Sequence, residues 1–272
     1  MTPTRADLDD AYANAAHIPG GAGYPARWAA AAAAFRDGLG ARARLDQPYG
    51  DAPSERFDLF LPQGTAKGTV VFVHGGFWRA FGRADWSHLA AGPVARGWAV
   101  AMPSYTLAPA IRISGITAQI ARAVTAIASE TRGPIALTGH SAGGHLVARL
   151  LAPGMLPPAD ATRLSHVLPI SPVADLRPLI GASLNDDLRL DEAEATAESP
   201  LLMTDHLPVP VSILAGAAER PVFVADARAL AAAWNAPLTL APDRHHFDVI
   251  DALADPDSAT VRTLTTPPAF RG

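Results

Sequence analysis

Gly139-His140-Ser141-Ala142-Gly143-Gly144-His145-Leu146 follows the apolar run Ile135-Ala136-Leu137-Thr138 and opens a helix-like stretch, residues 145–151. A serine framed by glycines between a strand and a helix reads as the G-x-S-x-G nucleophile elbow, a sharp turn that projects the hydroxyl above the edge of a sheet. Small neighbours are needed because the turn packs so tightly. The helix start behind Ser141 offers free N–H groups and the positive end of a dipole. This reading makes Ser141 a nucleophile and turns most remaining questions into questions of substrate.

The same alternation extends in both directions. Upstream, Thr69-Val70-Val71-Phe72-Val73-His74 is a continuous apolar run, as expected of a strand buried on both faces. A helical stretch near residues 85–96, a strand at Trp98-Ala99-Val100-Ala101-Met102 and a helix over 116–130 lie between it and the elbow. Downstream come expected strands at 166–170 and 209–214, a helix over about 223–235 and a short closing strand, Leu238-Thr239-Leu240. Arg56-Phe57-Asp58-Leu59-Phe60-Leu61-Pro62 alternates like an early half-buried strand, and residues 26–37 read as an alanine-rich helix. Strands alternating with helices predict an α/β fold, a mainly parallel sheet with helices on both faces. Residues 175–206 break the rhythm and read as a small cap-like insertion over the strand ends, where such sheets bind ligands. The expected organisation is one domain over residues 1–272, with an N-terminal arm and helix at 1–44.

Composition narrows the classes. At 272 residues, 49% hydrophobic and 18% charged, the chain has ample length and apolar content for a globular core. A net charge of −4 without any basic block argues against nucleic-acid and anionic-membrane partners. The absence of cysteine removes disulfides, thiol nucleophiles and cysteine metal sites. The start, Met1-Thr2-Pro3-Thr4-Arg5-Ala6-Asp7, carries acids early and has no apolar h-region, so no secretory signal is expected. The longest alanine run, residues 29–34, is far short of the roughly 20 residues of a membrane span. A cytoplasmic protein acting on a small molecule follows, with no cofactor and no metal; a homodimer is compatible with the sequence.

Serine needs a base, and the base an acid to hold it. In elbow folds the chain order is serine, acid, histidine. Glu219, just past the strand that ends at Leu214, is the leading acid; Asp226, inside the following helix, is expected to be solvated, and Asp248 lies too close to the histidines. Of His245 and His246, His246 is favoured as base because it precedes the apolar anchor Phe247. His140 and His145 are expected to be held in elbow and helix packing. The second oxyanion donor should come from His74-Gly75-Gly76-Phe77-Trp78, with Ala142 N–H as the first and Gly76 or Phe77 as the other. Phe77 and Trp78, beside that loop, are expected to line the substrate pocket, while Trp86 is expected in the core.

His74-Gly75-Gly76-Phe77-Trp78, the elbow, and Ser171-Pro172-Val173-Ala174-Asp175-Leu176 together resemble the arylformamidase (kynurenine formamidase) branch of the α/β-hydrolases. Leu45-Asp46-Gln47-Pro48-Tyr49-Gly50, residues 185–190 and Glu198-Ser199-Pro200-Leu201 extend the likeness over most of the chain. The resemblance implies an α/β-hydrolase fold and hydrolysis of N-formyl-L-kynurenine to L-kynurenine and formate, as in tryptophan catabolism. It places the nucleophile at Ser141, the base at His246 and an acid at Glu219. The stretch Glu219-Arg220-Pro221-Val222-Phe223 is less polar than that family's pattern. The hormone-sensitive-lipase-like carboxylesterases and amidases share the H-G-G and G-x-S-x-G motifs and are the competing reading. An amino-acid substrate also needs a carboxylate partner; Arg79 and Arg83 are available, and a surface salt bridge is the expected fate of either.

Overall fold

The computed structural model describes residues 3–266; Met1, Thr2 and residues 267–272, the two ends of the expected domain, lie outside them. Eight strands form one sheet: β1 (Ala43–Pro48), β2 (Arg56–Phe60), β3 (Thr69–Val73), β4 (Ala99–Pro103), β5 (Ile135–His140), β6 (Leu164–Ile170), β7 (Ile213–Gly216) and β8 (Leu238–Ala241). Their order is β1-β2-β4-β3-β5-β6-β7-β8. β2 runs antiparallel to both its neighbours, and every other pairing is parallel.

Strand alternation divides the core into two layers. Val71 and Val73 of β3 and Ala99 and Ala101 of β4 point to one face. There they meet Ile116, Ile120, Val124 and Ile127 of the helix Ile113–Glu130, spaced three or four apart as one helical stripe demands. Val70, Phe72 and Val100 point to the other face, against Trp28 of the helix Tyr24–Leu39 and Leu264 of the helix Ala259–Thr265. The central strands are buried throughout because helices cover both faces, which is why they read as unbroken apolar runs.

Three expectations change. β1 is a strand that the sequence reading assigned to the arm and its connection. It is an edge strand with mostly exposed side chains and a register shift between Arg44 and Gln47, so no apolar alternation marks it. The single helix expected near 85–96 is two 3-10 turns, Arg83–Asp85 and Ser87–Ala90, and a short helix, Ala91–Ala95. Pro93 has no N–H to extend the ladder, and a Cβ on Gly92 would collide with the Leu253 carbonyl. The strand expected from 209 begins at Ile213. Pro208 and Pro210 carry no donors, and only Val211 bridges, to Val167.

Residues 175–206 form short helical pieces, Arg177–Gly181, Asn185–Leu188, Glu192–Glu198 and Pro200–Leu202. The arm before β1 folds back to meet them. Arg5 Nε donates to Ser183 Oγ at 2.9 Å and Asp9 accepts from the Ser183 N–H at 2.6 Å; outside that segment, Arg220 pairs with Asp10 at 2.6 Å.

Candidate active site

At the C-terminal end of β5 the chain turns through Ser141, which adopts φ 56 and ψ −118. Such a backbone in a residue with a side chain stores about 1–3 kcal/mol and persists only where its surroundings enforce it. The enforcement is close packing. A Cβ on Gly143 would run into the Val73 carbonyl, and one on Gly139 into the Gly143 carbonyl. The elbow therefore presses directly on the end of β3, where its partner loop begins.

That loop has its own run of left-handed backbone: Gly76 (φ 110), Phe77 (φ 49) and Trp78 (φ 58). His74 anchors it. Its Nδ1–H donates to the Gly75 carbonyl at 2.8 Å, and its ring stacks on Tyr105 at 4.4 Å. Burial pushes the His74 imidazole down to about 4, so the anchor is neutral. Among the described residues, the N–H groups of Gly76, Phe77 and Ala142 have no hydrogen-bond partner. Unpaired donors on a turned loop and on the first residue of a helix are what a developing oxyanion requires.

Glu219 and His246 meet at the end of the sheet. His246 Nδ1–H donates to Glu219 Oε2 at 2.5 Å, and the other carboxylate oxygen accepts from Ser171 Oγ at 2.5 Å and from the Gly216 N–H at 2.6 Å. Burial alone would raise the Glu219 carboxyl. The charge and hydrogen bond of His246, with those from Ser171 and Gly216, outweigh it and hold Glu219 below the usual carboxylate range. With its proton on Nδ1, His246 keeps Nε2 as an acceptor. The ring is wedged between Phe223, at 4.2 Å, and His140, at 4.5 Å. Burial, then the neighbouring His246, depresses His140 to about 3 and keeps it neutral.

A cavity of about 630 Å³ opens over this group, and Ser141, His246, Gly76 and Phe77 all line it. Ser141 and His246 thus share one cavity, with Glu219 bonded to His246 and Phe77 on the wall. Among the described residues no cluster of three or more His, Asp or Glu is arranged to hold a metal ion.

Just over half of the chain, residues 70–208, matches the family profile described as alpha/beta hydrolase fold. The chain belongs to the alpha/beta hydrolase fold family. The likeness to arylformamidases holds as well: this hydrolase is 26% identical to the kynurenine formamidase of Salmo salar, over 80% of its own length and 79% of the relative's. A chain from Silicibacter sp. TM1040, named provisionally as a thioesterase, is 54% identical with a TM-score of 0.94, covering 96% of this chain and 99% of that one. Esterase B of Lactobacillus rhamnosis shares the fold at 20% identity and a TM-score of 0.65, over 89% and 92% of the two chains.

Several expected positions differ in the structure. Trp78 does not line the cavity of this hydrolase. It is fully buried in the core, edge-on to His145 at 5.1 Å. Trp86, expected in the core, is buried and also contributes to the cavity wall. Asp226 is not solvated. Its carboxylate turns inward to accept the Ala174 N–H at 2.9 Å, and burial raises it to about 7. Asp248 accepts the His245 N–H at 2.7 Å. Arg83 pairs with Asp58 at 2.9 Å and also with Asp46, while Arg79 pairs with Asp187 at 2.7 Å and reaches the cavity rim.

Two contributions escaped the sequence reading. Ser171, which holds Glu219, sits in the Ser171-Pro172 motif after β6, where its own φ of 47 marks a second tight turn. The arm supplies Tyr12, Asn14 and Trp28 to the cavity wall, more than the cap-like insertion, which adds Ser183 and Leu184. Only long-range folding brings residues 12–28 over Ser141, and no local pattern announces it.

Proposed function

We propose that this hydrolase cleaves the formamide of N-formyl-L-kynurenine through a Ser141-His246-Glu219 triad. The observation that carries the proposal is the buried 2.5 Å bond between His246 and Glu219 at a cavity that Ser141 also lines. In this reading Ser141 Oγ attacks the formyl carbon while His246 Nε2 takes its proton. Glu219 holds the imidazole in the required tautomer and stabilises the imidazolium. Ala142 N–H and that of Gly76 or Phe77 receive the oxyanion. Collapse of the tetrahedral adduct breaks the C–N bond, and His246 returns its proton to the aryl amine, releasing kynurenine. Water, deprotonated by His246, then attacks the formyl ester, and formate leaves as Ser141 recovers its proton.

The aromatic wall of Tyr12, Phe77 and Trp28 supports an aryl substrate, as does the similarity to kynurenine formamidases. The proposed setting is the cytoplasm, with a small-molecule substrate and no cofactor. No helix among the described residues is long and apolar enough to cross a membrane. A second reading, cleavage of small acyl esters or thioesters, is favoured by the 54% identity to the chain provisionally named a thioesterase.

The deciding measurement is kcat/KM for N-formylkynurenine beside short p-nitrophenyl esters and short acyl thioesters. Equimolar kynurenine and formate, formed with the highest kcat/KM of the panel, is the expected outcome. Turnover confined to the esters or thioesters would reject the formamidase reading and favour the second.

A further inference from the structure

Asn14 occupies an unusual position. It is 6% exposed and lines the same cavity as Ser141 and His246, yet its side-chain oxygen is sealed from solvent without a hydrogen-bond partner. Its Nδ2 donates to none of the described residues. Buried carboxamides are normally paired, and an orphan in a native fold calls for an explanation.

Poor anchoring does not explain it. The Asn14 carbonyl accepts the His17 N–H at 3.0 Å, and the preceding turn is wedged by Tyr12, edge-on to Phe77 and Phe223. Asp9 and Arg79 share the wall but are engaged with Ser183 and Asp187. Trp86 and His140 also present unpaired nitrogens on this wall. His140, however, packs directly on the base, and Trp86 is locked against Trp28 at 4.6 Å. Asn14 is thus a rigidly held polar group whose Nδ2–H, unlike its sealed oxygen, is left for a ligand.

We propose that Asn14 is a specificity-determining residue whose Nδ2–H donates a hydrogen bond to a carbonyl on the leaving half of the substrate. A carboxamide offers both a donor and an acceptor. An aryl ketone matches the reachable donor, whereas a plain alkyl or aryl group would leave it unpaired. Sites built to bond a polar group discriminate strongly against analogues that lack it. The choice of an aryl ketone as probe rests on the formamidase reading, since the leaving half of N-formylkynurenine carries one.

The test compares substrates differing only in that carbonyl: formanilide with 2′-formamidoacetophenone, and phenyl acetate with 2-acetylphenyl acetate. Wild-type enzyme should prefer the carbonyl-bearing member. In Asn14→Leu and Asn14→Ala that preference in kcat/KM should fall about tenfold, the effect of one hydrogen bond. The melting temperature of Asn14→Leu should not fall, because no bond within the protein is lost; a structural role would lower it and slow both members alike. Equal effects on both members, an unchanged preference in the folded variants, or a wild-type enzyme without the preference each overturn the proposal. If Asn14→Leu does not fold, Asn14→Ala gives the same reading. Inert formamides beside active esters would reject the formamidase reading alone, and the ester pair would still decide the role of Asn14.

Discussion

The Tyr24 hydroxyl lies 3.0 Å from Nε2 of His245, tying the arm helix to the residue beside the proposed base. His245 Nδ1 lies 3.1 and 3.3 Å from the N–H groups of Phe247 and Asp248 and 3.2 Å from Asp248 Oδ1, so both ring nitrogens are engaged. The histidine not favoured as base is therefore a strut for the loop carrying His246. Tyr24→Phe keeps the ring against Trp28 and Phe247 and removes only this bond. The expected loss is about 1 kcal/mol, or roughly fivefold. It should appear in kcat with little change in KM, because a misplaced base is felt in the transition state. Steady-state kinetics that match wild type would remove Tyr24 from the positioning of His246.

The triad assignment predicts very unequal tolerances. Ser141→Ala and His246→Ala should each lower kcat on the order of 10⁴- to 10⁶-fold, since such residues act as a unit. Glu219→Gln should cost about 10³- to 10⁴-fold, because an amide no longer enforces the tautomer or stabilises the imidazolium. Ser171→Ala removes one of the bonds that hold Glu219 and should cost less, about tenfold. Turnover beside a phosphonate labelling rate checks the series, and near-native activity in Glu219→Gln would move the acid elsewhere.

Phe77 and Trp78 are adjacent and should fail in different ways. Trp78→Ala opens a cavity in the core and should destabilise by about 3–5 kcal/mol. Phe77, half-buried on the cavity wall, should instead raise KM when cut to alanine, with a much smaller change in melting temperature. Chemical denaturation of both variants, paired with their KM values, separates the roles; a Trp78→Ala protein of native stability would place that ring outside the core.

Asp226 makes stability depend on pH. Burial lifts its folded-state value to about 7 from 3.8, so between these limits the folded protein keeps a proton that the unfolded chain releases. Its contribution is complete below pH 3.8 and is lost as pH rises through about 7. Across that window the loss approaches about 1.4 kcal/mol per pH unit. Asp226→Asn keeps an oxygen to accept the Ala174 N–H and does not ionise. The stability of the variant relative to wild type should therefore grow from pH 4 toward pH 7 and level off above it, on denaturation curves across about pH 4 to 9. A pH-independent difference would show that Asp226 keeps an ordinary carboxyl.

The elbow was legible because it is local. Tight strand-turn-helix geometry admits only small residues around Ser141, and the apolar runs of β3 and β5 report burial on both faces without any partner being known. Chain order then singled out Glu219 and His246, although they are 27 residues apart, because each follows a late strand of the sheet. β1 was not legible, since an exposed edge strand is held by backbone pairing that leaves no mark on side-chain pattern. The inward turn of the Asp226 carboxylate and the burial of Trp78 depend on helix rotation and loop hand, which hydrophobic periodicity does not specify. What the amino-acid order determined alone was the central buried strands, the elbow and the choice of Glu219 and His246 as candidates, because each rests on residue type within a short stretch. What only the tertiary structure decided was the wall around them, where residues 12–28 come to lie over a serine more than a hundred positions away. Contacts of that kind follow from how whole helices pack, and no local stretch of chain encodes them.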